Sequence, residues 1–166
     1  MDKISTCLWF DDEAAEAVDF YIKVFGKGRV TDIAYYDEST NSVSKKPAGS
    51  VLTVSFKLFG RDFMALNGGP EFKFNSAVSF IVDCKDQKEV DRYWQVLTEG
   101  GQEVACGWLT DKYGLSWQIV PREFVKLSRS KERKKVVAMN AAMMKMKKLD
   151  MPALKKAFMQ GEQGRK

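Results

Sequence analysis

The sequence predicts an α+β fold: two β-α-β-β-β modules forming a cup-shaped mixed sheet, followed by C-terminal helices. Three observations predict it. The same order of elements occurs twice: an alternating stretch, an amphipathic helix closed by glycine, then three further alternating stretches. A tight turn, Asp111-Lys112-Tyr113-Gly114, joins two short strand-like runs near the end of the second copy. After Pro121 the composition shifts to Lys, Met and Ala, which marks a helical tail.

In the first copy, residues 3–10 alternate, with Ile4, Thr6, Leu8 and Phe10 on one face and Ser5, Cys7 and Trp9 on the other. Asp11 and Asp12 offer an N-cap, and Glu13 and Glu16 suit a first helical turn. Ala14, Ala17, Val18, Tyr21, Ile22 and Phe25 share one helical stripe, which Gly26 and Gly28 end. Residues 29–36, 50–58 and 63–66 read as strands, and the polar stretch 37–49 as a loop long enough to act as a flap.

In the second copy, residues 77–84 form a strand. Asp86 caps a helix whose stripe is Val90, Tyr93, Trp94 and Leu97, closed by Gly100-Gly101. Residues 102–106, 108–110 and 115–120 supply three strands, and Pro121 ends the last because it has no N–H for a ladder. On that strand Leu115, Trp117 and Ile119 alternate with Ser116, Gln118 and Val120. If the bulky set packs under helices, Ser116 and Gln118 face whatever hollow the sheet encloses. The organisation is a domain over residues 1–124, with modules 1–70 and 71–124, and a basic Met-rich tail over 125–166. In the tail, Asp150 caps a last helix with Pro152 in its first turn and Leu154 and Phe158 buried. Met139, Met143, Met146 and Phe158 exceed what one edge of the body could cover, so the tail is expected to pack across a twin subunit in a homodimer.

Composition narrows the chemistry. The 166 residues contain no histidine, which removes Ser-His-Asp and Cys-His catalysis and His-ligated zinc. Cys7, Cys84 and Cys106 are widely spaced and lack a CxxC, so neither a disulfide framework nor a zinc knuckle is expected. Each reads as a small apolar residue; the sharper alternative is a reactive thiol at Cys106, beside Gly107 and Trp108. The net charge of +5 comes from the tail, where aromatic stacking residues are sparse, so a solvated helix face is expected rather than nucleic-acid binding. No apolar run approaches the ~20 residues of a membrane span, and the N-terminus does not read as a signal peptide, so a cytoplasmic protein is expected.

The stretches DDEAAEAVDFYIKVFG, LNGGPEFKFNSAVSFIVDCKDQKEVDRYW and CGWLTDKYGLSWQIVP resemble the PhnB-like branch of the vicinal oxygen chelate superfamily. That is the fold of glyoxalase I, bleomycin-resistance proteins and extradiol dioxygenases, and members of the branch are often labelled demethylubiquinone methyltransferase. The resemblance covers roughly residues 4–121, and the tail looks similar to that of the branch. Enzymes of the superfamily ligate a divalent ion through strand residues that are His or Gln, and Glu. The corresponding positions here fall near Thr6, Met64 to Ala65, Ala77 and Gln118. Thr and Ala are poor ligands and Met is too soft for the hard ions of this chemistry, so no metal is expected. Neither Gly68-Gly69 nor Gly100-Gly101 opens a helix after a strand, so no S-adenosylmethionine cradle and no cofactor are expected.

The resulting expectation is a small-molecule-binding protein with Thr6, Asn67, Ser79, Cys106, Trp108, Ser116 and Gln118 as ligand-binding residues, catalytic residues unassigned. The alternative is an enzyme of the same superfamily acting on a small aromatic or quinone-like substrate. Glu71 and Asp111 are read as surface acids on turns. A third reading makes the basic tail a docking segment for a partner.

Overall fold

A computed structural model of the chain describes residues 3–39 and 46–161. It divides into two compact units, Met1–Phe74 and Asn75–Lys166. The expected fold class is present: each unit contains one β-α-β-β-β module, and helices follow the second.

The first unit comprises β1 (Thr6–Phe10), α1 (Ala14–Phe25), β2 (Gly28–Tyr35), β3 (Val51–Leu58) and β4 (Arg61–Asn67). Its sheet runs in the order β1-β4-β3-β2, with β1 parallel to β4 and the other pairs antiparallel. The apolar stripe of α1 buries Ala14, Ala17, Val18, Tyr21, Val24 and Phe25, and the covered sheet face supplies Leu8, Phe10, Val54, Phe56 and Ala65. β1 begins at Thr6, three residues later than the alternation predicts; Ile4 lies outside the ladder and is exposed. Asp11 and Asp12 do not cap α1. The N-cap is Glu13, without a side-chain bond, and the first-turn amide of Ala14 donates to Asn67 Oδ1 at 2.8 Å. A residue from β4 therefore does what sequence proximity assigns to the aspartates. The expected flap at 37–49 lies partly outside the described residues, at 40–45.

The second unit repeats the plan with β5 (Phe80–Cys84), α2 (Gln87–Thr98), β6 (Gln102–Glu103), β7 (Trp108–Thr110) and β8 (Ser116–Pro121) in the order β5-β8-β7-β6. Asp86 caps α2 as expected, accepting from Glu89 N at 2.9 Å, while Glu89 Oε2 accepts from Lys85 N. β5 starts at Phe80 rather than at Ala77, and β6 keeps only two residues. Beyond β6 the chain bends to meet the tail: Cys106 N donates to Met146 O at 2.8 Å and Gly107 N to Lys147 O at 2.7 Å.

The tail forms α3 (Arg122–Ser128), α4 (Arg133–Met143) and α5 (Met151–Gln160). Asp150 caps α5 by accepting from Ala153 N, with Pro152 in the first turn, as expected. The apolar surplus expected to need a twin subunit is absorbed within the unit. Val136, Met139, Leu149, Met151, Leu154 and Phe158 form their own core, with Met143 and Met146 packed against it, and Met139 is 0% exposed. The premise of uncovered side chains does not hold, because helical spacing shows which side chains need cover, while α4 and α5 fold on each other and supply it. Gln87 ties the tail to α2: Nε2 donates to Leu149 O at 3.0 Å and Oε1 accepts from Met151 N at 2.8 Å. Among the described residues no helix is long and apolar enough to cross a membrane.

Candidate ligand-binding face

The second sheet has two unlike faces, and the pleat explains both. Phe80, Val82, Cys84, Leu109, Trp117, Ile119 and Pro121 fall in one register, and α2 packs against β5, β7 and β8. Gln118 falls in the other, directly opposite Ile81 on β5 and Trp108 on β7. Ile81 is 65% exposed, while Trp108 and Gln118 are half-buried.

Gln118 Nε2 donates to Ser79 Oγ at 2.9 Å, which fixes the carboxamide and leaves Oε1 without a hydrogen-bond partner among the described residues. The Trp108 indole N–H likewise has no acceptor among the described residues. One face thus presents a neutral acceptor and a neutral donor on adjacent strands beside exposed aliphatic surface. Ser116 shares this register but is fully buried, its Oγ 3.5 Å from Ser76 Oγ.

The remaining sequence-predicted residues lie elsewhere in their units. Cys106 turns towards the tail, with Sγ 3.7 Å from both Met143 O and Met144 Sδ. In the first unit, Thr6 shares the register of Leu8 and Phe10 on the helix-covered face. Asn67 is 3% exposed with both side-chain ends engaged, Oδ1 by Ala14 N and Nδ2 by Val51 O. It also lends its carbonyl to Tyr36 Oη at 2.5 Å. The structure thus groups Ser79, Trp108 and Gln118, places Ser116 behind them, and gives Asn67 bonds inside its own module.

Asp111 is a correction: it is 2% exposed, not a surface acid. Its Oδ1 accepts from Tyr113 N at 2.9 Å and Leu115 N at 3.1 Å, and its Oδ2 accepts from Trp117 Nε1 at 2.8 Å. Gly114 completes the turn at φ 84°, in the left-handed region that a side chain would disfavour. An Asp two residues ahead of a turn amide is an Asx-turn signal, and Trp117 six residues on is a potential donor, so this bracket had a local signature.

Two expected absences concern bound groups. The resemblance would put the ligands of a divalent ion near Thr6, Met64 to Ala65, Ala77 and Gln118. Gln118 is a neutral amide held by a hydroxyl, and among the described residues no three His, Cys, Asp or Glu gather where they could hold an ion. This donor set does not fit a hard divalent cation. The glycine pairs serve the fold. Gly68 N donates to Phe10 O and Gly69 N to Asp11 O, while a Cβ on Gly68 would stand 2.2 Å from the Trp9 ring. Gly101 N donates to Thr98 O, and its Cβ would meet Thr110 O at 2.2 Å. The amide groups of Gly68, Gly69 and Gly101 are thus already engaged.

The repeated module defines the class of protein: the glyoxalase/bleomycin-resistance fold of the vicinal oxygen chelate superfamily. Residues 2–120 match the 3-demethylubiquinone-9 3-methyltransferase family, and the chain belongs to it, in its PhnB-like branch. Among solved structures it is similar to the PhnB protein of Bacillus cereus, a 3-demethylubiquinone-9 3-methyltransferase by name. The two are 32% identical over 72% of this chain and 99% of that one, with a TM-score of 0.64. A Pseudomonas aeruginosa protein shares the fold at 18% identity over 73% of this chain and 98% of its own, with a TM-score of 0.57. A glyoxylase/bleomycin resistance protein/dioxygenase domain from Frankia sp. aligns at 9% identity over 73% and 92%, with a TM-score of 0.44. No curated protein matches the sequence.

Proposed function

We propose that the chain binds a neutral, planar small molecule on the Gln118 face of the second module and does so without a catalytic metal. The observation that supports this is the pairing of Gln118 Oε1 and Trp108 Nε1, both without described partners, beside the exposed side chain of Ile81. A neutral acceptor and donor on an apolar platform suit a ligand with one hydrogen-bond donor and one acceptor on a flat ring, such as a quinol or hydroxyquinone. The family's name gives the probe: a short-chain demethylated ubiquinol. Binding should quench tryptophan fluorescence, and Gln118→Ala should weaken it about 10-fold, the worth of one hydrogen bond. Equal affinity in the wild type, Gln118→Ala and Trp108→Phe would overturn the reading.

The second reading, an enzyme acting on the same ligand, has the family name in its favour. Incubation with labelled S-adenosylmethionine and that quinol separates the two, and the expected result is no transfer. We further propose that the protein is a cytoplasmic homodimer that does not bind nucleic acid. With the tail's apolar residues covered within their own unit, support for pairing comes from β2, whose Val30, Ile33 and Tyr35 are exposed.

A further inference from the structure

Charge divides the chain along its length. Residues 1–121 hold 13 Lys and Arg against 18 Asp and Glu, and residues 122–166 hold 14 against 4. The tail's ion pairs within the described residues use bases such as Lys148, on Asp91, and Lys155, on Glu123; Arg133, Lys134 and Lys145 form none there. These three bases frame an apolar stripe on α4. At about 3.6 residues per turn, Val136, Met139 and Met143 share one side of the helix, and Arg133, Val137, Ala141 and Met144 share the other. The first side packs into the tail core. The second stands in solvent, with Val137 62% and Met144 67% exposed. Lys134 lies beside Arg133 at the start of the stripe, and Lys145 follows Met144 at its end. The stripe is held in place, because its opposite side is buried and the segment after α4 is bonded to the bend at Cys106 and Gly107.

We propose that this side of α4 rests on an anionic lipid bilayer, with Arg133, Lys134 and Lys145 against the head groups and Val137 and Met144 in the boundary beneath them. Two chemistries must be satisfied together, a fixed positive charge and uncovered apolar side chains inside it. A bilayer surface supplies phosphate and hydrocarbon at adjoining depths, and long basic side chains bridge the two by keeping their stems in the apolar layer. A nucleic-acid backbone answers the charge but offers Val137 and Met144 no apolar phase. A protein partner would need acidic groups around a matching apolar hollow. Side chains as exposed as these two do not line a groove of their own, which leaves no seat for a peptide. The helix lies along the surface and does not enter the core: no helix among the described residues is long and apolar enough to cross a membrane. Attraction adds up base by base and is screened by salt, so the contact is reversible.

The test is co-sedimentation of the full chain with vesicles of phosphatidylcholine containing about a third phosphatidylglycerol, against vesicles of phosphatidylcholine alone. The wild type should bind the first and not the second, and raising salt from about 0.1 M to about 0.5 M should release it. Lys134→Gln with Lys145→Gln should weaken binding at least ~10-fold. Val137→Gln with Met144→Gln should also weaken it at least ~10-fold, while elution of that variant from immobilised heparin stays as in the wild type. The substituted side chains are exposed, and circular dichroism establishes that each variant is folded. Equal binding to both vesicles, unchanged vesicle binding in either double variant, or retention on heparin without vesicle binding would each overturn the proposal, the last by assigning the charge to a soluble polyanion. None of these outcomes bears on the Gln118 face, whose ligand binding is read separately with the quinol.

Discussion

Asp111 shows how much one side chain can organise. It closes the turn between β7 and β8 and anchors the indole of Trp117 beneath the sheet. Asp111→Ala removes the acceptor of three N–H groups, two of them in buried hydrogen bonds, and should cost about 3 kcal/mol, measured by urea denaturation. Asp111→Asn keeps one acceptor but turns an amide N–H towards an indole N–H, so it should fall between wild type and alanine. Cys84 gives a pH prediction. Burial, aided by Glu89, Asp83 and Asp86, pushes its thiol from 9.0 up to about 12. The folded state therefore holds this proton more tightly than the unfolded chain. The linked stability is fully present below pH 9.0 and is lost as pH rises through about 12. Cys84→Ala should flatten the alkaline limb of the stability curve, and native Cys84 should resist alkylation at pH 8 while it reacts freely in denaturant.

At the scale of elements, the tail is held to the second module by polar ties as well as by its own core. Gln87 brackets Leu149 and Met151. Lys148 pairs with Asp91, and its hydrogen bond holds the Asp91 carboxyl below its ordinary 3.8; Gln87 adds to the effect. A carboxyl with a lowered folded value stabilises above its unfolded value and loses that contribution as pH falls through the folded one. Acidification below pH 4 should therefore loosen the tail before the sheet, seen as faster amide exchange in α5 than in β8. Gln87→Ala should produce the same local loosening at neutral pH, with little change in α1. The elements also show what was legible from sequence. The stripes of α1 and α2, the caps at Asp86 and Asp150 and the turn at Gly114 depend on neighbours a few residues apart, so spacing revealed them. The cap of α1 by Asn67 spans 53 residues, and the destination of Met139 depends on α5 folding back. No local pattern encodes either. The candidate face was half legible: alternation placed Gln118 and Ser116 on one side, but only strand register brought Ile81 and Trp108 beside Gln118.

For the whole molecule, burial of the tail changes what deletion should do. Removing residues 129–166 takes away Leu149, which lies against Gly107, and both acceptors of the Cys106-Gly107 amides. The expected result is a lower melting temperature and increased binding of a hydrophobic dye, with no change in subunit number. If β2 carries the pairing surface, Ile33→Arg should turn a dimer into a monomer in light scattering while leaving the melting temperature within a few degrees.

The ties at Gln87 also set a schedule for synthesis. Every partner within the first module is made by residue 74, so that unit can fold while the ribosome is still translating the second. The second cannot finish on the same terms. Gln87 waits 62 residues for Leu149, and the bend at Cys106 waits for Met146. A nascent chain stalled before Leu149 should therefore resist a protease pulse in its first half and be cut in its second. Release of the last segment should convert it to the resistant form in one step.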